Sequence, residues 1–210
     1  FSIVQILINL KLEMSLNDLI TPSLKEYNCS SQSVKISLIE FIIDKLKFVL
    51  SNQNNRIDVV NSVLNTKIVD NLPIKVILSR IDNINKYTKN KNFKIFLANF
   101  KRINNILKSE KFSNDIKFEI NIKLFETIEE VNLHKLINSF SKVIEEISAC
   151  EKSQKVLINS LINMNKPISS FFDNVIINHE DSNTKFNRFK LLKNLHNLML
   201  KFARFDLIED

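Results

Sequence analysis

The sequence predicts an all-α fold, a helical bundle in which each helix buries one apolar stripe. Three observations carry that prediction. Apolar residues recur at spacings of three and four along nearly the whole chain. Glycine is absent and only three prolines occur in 210 residues, so the tight turns an all-β fold needs are missing. With 44% hydrophobic and 25% charged residues the composition is that of an ordinary globular protein, and the chain is long enough to bury a core without a disulfide or metal staple.

The elements follow in order. Ser33 is a candidate N-cap for a helix with the stripe Ile36, Ile39, Ile43, Leu46 and Leu50, and with Glu40, Asp44 and Lys47 on its other side. SNQNNR at 51–56 is a polar break before a short apolar helix carrying Val59, Val60, Val63 and Leu64. Pro73 suits the first position of the next helix, with Ile74, Ile77, Leu78, Ile81 and Ile84. After a loop at 87–92, Phe93, Phe96, Leu97, Phe100, Ile103 and Leu107 form another stripe. Residues 110–121 lack periodicity and read as a connector. Helices are predicted over 126–148 and 150–163, then a short one after Pro167 around Phe171 and Phe172. The last helix runs over 182–202 with Phe186, Phe189, Leu192, Leu195, Met199 and Phe202. There is no internal repeat, and VIIN at 175–178 is too short a β-like run to build a sheet.

Composition also excludes functions. Without glycine there is no phosphate-cradling loop, dinucleotide fingerprint, nucleophile elbow or EF-hand. No apolar run reaches the roughly 18–20 residues of a membrane span. FSIVQILINL at 1–10 has no basic residue ahead of it and makes a poor signal peptide. Cys29 and Cys150 read as reduced thiols of a cytoplasmic protein. The chain begins with Phe1 rather than Met, and the expectation is a piece of a longer polypeptide. The histidines, His134, His179 and His196, have no second ligand at metal spacing, and His179-Glu180-Asp181 points in different directions on a helix. Glu129-Glu130 and Glu145-Glu146 fit exposed helical faces. No catalytic, metal or cofactor site is therefore expected.

Charge is the stronger signal. Residues 80–111 hold nine Lys/Arg against two acids, a net +7 that equals the charge of the whole chain. Residues 112–181 carry a net −4, and residues 182–205 hold six basic residues and no acid. Two basic helices flanking an acidic one suit a polyanion held through its phosphates, although a solvated Lys-rich face in a protein coded by an AT-rich genome has the same look. With the apolar stripes turned inward, Lys101, Asn105 and Lys108 share an outer face, bordered by Arg102. On the last helix Lys190 and Lys193 are exposed. Arg188 sits at the boundary, open either to RNA or to an ion pair with Glu180 or Asp181. Phe171 and Phe172 read as core plugs, with base stacking as the alternative.

The C-terminal quarter is more specific. In residues 165–208, Pro167, Phe171, Phe172, Asp173, Val175, the pair Glu180-Asp181, Asn187, Arg188, Leu191, Leu192 and Asp206 follow the order found at the end of bacterial glycyl-tRNA synthetase beta subunits, which this segment resembles. An acidic pair followed by a basic helix is the mark of the DALR anticodon-binding module, shared with arginyl-tRNA synthetases. RIDVVNSVL at 56–64, NFKIFLANFKRINNILK at 92–108 and the opening 1–20 resemble the same family in order, and 109–164 follows it loosely. Lys185 stands where the module has its name-giving Arg, and Lys cannot make a forked contact. Thr184 and Phe189 replace Leu. Asn174 stands where the family usually has Gly, as the residue that next best tolerates positive φ.

The resemblance implies a DALR-type helical anticodon-binding domain over 31–210, preceded at 1–30 by the end of another domain or a linker. It implies a non-catalytic role in an ATP-dependent glycine–tRNA ligase: holding the anticodon arm of glycine tRNA in a hetero-oligomer whose alpha subunit carries the chemistry. ATP and magnesium then belong to the whole enzyme and no membrane is involved. Lys101, Arg102, Asn105, Lys108, Lys185, Arg188 and Lys193 are the expected tRNA-binding residues. The alternatives are the equivalent domain of arginyl-tRNA synthetase, against which the Phe-Phe-Asp and Phe-Lys-Arg segments speak, and a helical protein-interaction scaffold.

Overall fold

The structure, a computed structural model, describes residues 2–28, 31–109, 119–147 and 149–209. Cys29, Lys111 and most of the connector lie outside the described residues. Ten α-helices are present among those residues: α1 (Ser2–Leu10), α2 (Leu16–Glu26), α3 (Gln32–Ser51), α4 (Ile57–Leu64), α5 (Ile74–Tyr87), α6 (Lys91–Ser109), α7 (Ile128–Ile147), α8 (Gln154–Asn163), α9 (Asn165–Asn174) and α10 (Ser182–Leu200). There is no strand among them, only an isolated bridge between Ser15 and Pro73. The all-α expectation holds.

Local chemistry sets the helix starts. Ser15 and Asp18 form a capping box that opens α2. Ser31, not Ser33, caps α3 by accepting from the Val34 amide. Pro73 is the residue before α5 rather than its first turn. Thr127 and Glu130 form a second capping box at α7: the Glu130 amide donates to Thr127 Oγ1, and the Thr127 amide donates to Glu130 Oε2 at 3.0 Å. Asp181 caps α10 by accepting from the Thr184 amide at 2.8 Å. Lys11, Asn28 and Asn54 adopt positive φ, at 45°, 52° and 60°. Asn174 is not among them: it closes α9 with its side chain donating to the Ser170 carbonyl at 2.9 Å.

The helices share one core, reaching from Val4 and Leu7 of α1 and Leu16 and Ile20 of α2 to Ile208. α4 lies between α3 and α5, α8 against α5 and α6, and α10 against α6 and α7, with α9 filling the angle between α6 and α7. Several expected stripe residues face solvent instead: Ile36 on α3 and Phe186 on α10 are about half exposed. On α3 a second stripe of Val34, Leu38, Phe41 and Phe48 is exposed, with Lys45 lying 5.3 Å from the centre of the Phe41 ring. The segment after α10 turns back into the molecule. Phe205 packs among Phe93, Phe96 and Phe100 of α6, its ring centre 4.9 Å from that of Phe96 in an edge-to-face contact. The Arg204 amide donates to the Ser62 carbonyl of α4 at 2.7 Å.

Two arginines counted as basic surface are inside. Arg80, with none of its surface exposed, donates to Gln154 Oε1 of α8 and to the carbonyls of Lys201 and Phe202, and its guanidinium lies 4.9 Å from the Phe202 ring centre. Burial lowers it to about 10, so it remains a cation at neutral pH. Arg188, 2% exposed, donates to Glu130 at 2.9 Å, to Glu126 at 2.7 Å and to the Ile176 carbonyl at 2.9 Å. Its carboxylates are thus Glu130 and Glu126 of the α7 start, not Glu180 or Asp181. Glu130 is fully buried, against the expectation of an exposed face. Burial acts to raise its carboxyl, but the Arg188 hydrogen bond and the amides of Glu126 and Thr127 outweigh that and hold it below the ordinary carboxylate range.

Two outcomes are expected. Arg188→Met strands a buried carboxylate and should cost about 3–5 kcal/mol at pH 7. Because the folded Glu130 titrates low, the pair stabilises above the ordinary carboxylate pKa and its contribution fades as pH falls through the lowered value. The gap between wild type and variant should therefore narrow in urea unfolding curves taken near pH 4. Lys11→Gly should raise stability by about 0.5–1 kcal/mol, since glycine enters the left-handed region without a steric penalty. Asn54→Gly should change it less in the same thermal melts, because Asn already tolerates that region.

Candidate nucleic-acid interface

The α6 pattern FKIFLANFKRINNILK turns Phe93, Phe96, Phe100 and Ile103 into the core and leaves Arg102, Asn105 and Lys108 exposed, with Lys101 and Asn104 half-buried. Arg102 lies on the α9 flank, its guanidinium 4.1 Å from the centre of the Phe172 ring. That stack joins the Phe-Phe motif to α6. Phe171 and Phe172 are both buried and meet edge to face at 6.0 Å, as core plugs do. Lys108 lies on the opposite flank of α6, facing α10.

On α10, Lys185 and Lys193 are half-buried, and the Lys185 ammonium lies 5.8 Å from the Phe189 ring centre. Arg188 points into the protein, and its neighbour Asn187 clamps the connector by exchanging hydrogen bonds with the Asn121 backbone at 2.9 and 3.0 Å. The Asn187-Arg188 pair thus builds the scaffold, and Arg188 presents no donor to a ligand. His179 is tied to the Asp181 amide and lies 3.5 Å from Glu126.

Lys108 borders a cavity that Lys193 does not line. The cavity, of about 480 Å³, opens between α6, α10 and the segment joining α4 to α5, lined among others by Lys67, Asn104, Lys108, His196, Asn197 and Lys201. His196 stacks on Phe100, ring centres 5.1 Å apart, and neither of its ring nitrogens has a hydrogen-bond partner. Burial, with Lys193 next, lowers the imidazole to about 4. Arg204 and Lys108 act in the same direction, and Asp206 opposes them. Arg204 meets Asp206 through two hydrogen bonds at 2.9 and 2.7 Å. Sequence reasoning missed Lys67 and His196. Their separation of 129 positions leaves no local signal, and a lone histidine in a basic helix gives none either.

The arrangement is a basic surface around α6 and α10 with a polar cavity in it; no helix of the described residues is long and apolar enough to cross a membrane. Comparison with known proteins agrees with this picture. The DALR anticodon binding domain family matches residues 96–203, just over half of the chain. The glycine–tRNA ligase beta subunit of Rickettsia prowazekii (strain Madrid E) is 33% identical over 203 residues, covering 97% of this chain and 29% of that protein. Those of Rickettsia africae (strain ESF-5) and Buchnera aphidicola subsp. Schizaphis graminum (strain Sg) are each 32% identical over 97% of this chain, covering 29% and 28% of their own length. The chain thus spans a little under a third of the length of these relatives. The family match runs from the aromatic face of α6 to the end of α10, the helices that carry the basic surface, and the chain belongs to the DALR anticodon binding domain family.

Proposed function

We propose that this chain is the anticodon-binding part of a glycine–tRNA ligase beta subunit, and that it contributes binding energy and discrimination rather than chemistry. The observation that carries the reading is the coincidence of the family match with the basic surface of α6 and α10. Similarity to beta subunits over 97% of the chain supports glycine over arginine as the amino acid. Unstacked anticodon bases can be read by stacking and edge hydrogen bonds, while phosphates are held by lysines on the helices. The domain then acts by positioning: it grips the anticodon arm so that the distant acceptor end reaches the active site of an alpha subunit. ATP and magnesium are used there, in the cytoplasm, and no cofactor binds within this chain. The residues that contact tRNA are Lys101, Arg102, Asn105 and Lys108 of α6 and Lys185 and Lys193 of α10. Arg188 leaves the set, because its guanidinium is buried against Glu130 and Glu126.

Filter binding of glycine tRNA at increasing salt tests the electrostatic part. Neutralising about four phosphates gives a slope of log K against log salt near −3. An affinity that stays flat from low to physiological salt would remove the basis of the proposal. Charge reversal at Lys101 and Lys108 together should weaken binding by well over tenfold, with helical circular dichroism and melting temperature nearly unchanged. Undiminished binding by that double variant would move the RNA to another surface.

A further inference from the structure

Helix α3 carries two apolar faces. One is its core face, with Ile39, Leu46, Val49 and Leu50 buried. On a separate face Val34, Leu38, Phe41, Lys45 and Phe48 recur at steps of four and three, and all five are exposed. Packing within this chain accounts for the first face; a helix of a globular domain needs only one. The second has the spacing of a coiled-coil seam, with Leu38 and Lys45 at a positions and Val34, Phe41 and Phe48 at d positions. Helix α1 packs on α3 and exposes Ile3, Ile6 and Leu10 at the same steps of three and four. Both helices precede residue 96, where the family match begins, so the matched anticodon-binding segment explains neither seam.

Such seams mark a permanent contact, since obligate interfaces are the apolar ones and transient interfaces resemble ordinary surface. Lys45 narrows the occupant. Its ammonium lies inside the seam, 5.3 Å from the centre of the Phe41 ring. Covering the seam takes that charge out of water, which is costly unless a carboxylate faces it. A second copy of α3 supplies none. Parallel pairing sets Lys45 against Lys45, and antiparallel pairing sets it against one of the d residues, which are Val and Phe. The relatives have ample further chain, because the matched stretch is only 29% of their length. A covalent tether would also make the contact intramolecular, at high effective concentration. Resting on the reading that this chain is part of a beta subunit, we propose that an amphipathic helix from the remainder of the same subunit seats on α3 and α1. Its a and d residues are apolar, and one carboxylate faces Lys45. The seat fixes how the anticodon-binding part is held on the rest of the subunit.

The test uses the whole beta subunit, first without alpha subunits. A zero-length carbodiimide joins an ammonium to a carboxylate in contact with it. Peptide mass spectrometry of the treated wild-type subunit should find Lys45 linked to an Asp or Glu outside the 210 residues of this chain. Thiol labelling reads the apolar part independently. Phe41→Cys should react about tenfold or more slower than Ile176→Cys, although Phe41 and Ile176 are 59% and 72% exposed in this chain. Equal labelling rates overturn the proposal, and so does protection without a link from Lys45 to that region. Protection that rises with subunit concentration makes a second copy the occupant, and protection that needs added alpha subunits makes them the occupant; either overturns it. If Phe41→Cys does not fold, the wild-type cross-link decides. Filter binding of glycine tRNA by the same preparation tests the underlying reading separately. Binding by a subunit with position 41 unprotected ends the seat alone, and no binding by one with position 41 protected ends the anticodon role alone.

Discussion

Arg80 fastens the two halves of this bundle. Past α10 the chain turns inward at the buried Phe202 and Ala203, where helix-end carbonyls need partners from elsewhere. The guanidinium fills that gap from α5, donating to the carbonyls of Lys201 and Phe202 while bonding Gln154 of α8. Its charge also sits favourably at the negative end of the α10 dipole. One side chain thus fixes three helices from distant parts of the sequence, and the cavity next to the end of α10 inherits its shape from that fixation. Arg188 does the matching work at the other end of α10, where it draws in the start of α7.

These two residues show how charge is divided in a strongly basic chain. A guanidinium is planar, weakly hydrated and rich in donors, so it can be buried when several acceptors surround it. A lysine ammonium is compact and strongly hydrated, and the lysines of α6 and α10 stay at least partly in solvent. Arg80 and Arg188 hold the interior, and lysines make most of the field that a polyanion meets. Arg102 stands between the two roles, stacked on Phe172 yet exposed.

The helices were legible because the apolar period is strong and no glycine interrupts it. The buried arginines were legible too, had period outweighed residue type: Arg80 falls in register with Val76, Ile77 and Ile84, and Arg188 with Thr184, Leu191 and Leu192. Counting Arg80 as basic surface and leaving Arg188 at a boundary hid this. Glu130 carried its own signal, as Thr127-x-x-Glu130 is a capping box. The outward turn of Ile36 and Phe186 was not legible, because an apolar residue at the edge of a stripe faces whatever tertiary packing leaves there. The cavity was beyond reach, since Lys67, Lys108 and His196 meet only where the α4–α5 segment comes against α6 and α10.

The return of the segment after α10 has a consequence for synthesis. Residues 204–209 bond α4 and pack on α6 across more than a hundred positions, with Glu209 reaching the side chains of Arg56 and Asp58. A ribosome adding roughly 5–20 residues per second needs on the order of ten seconds to pass from the end of α5 to Phe205. Throughout that interval α4 and α5 are finished but lack the aromatic wedge and carbonyl acceptors that close over them. Contacts of such long range also form slowly. α4 and α6 therefore gain their last long-range contacts only once Phe205 has been made.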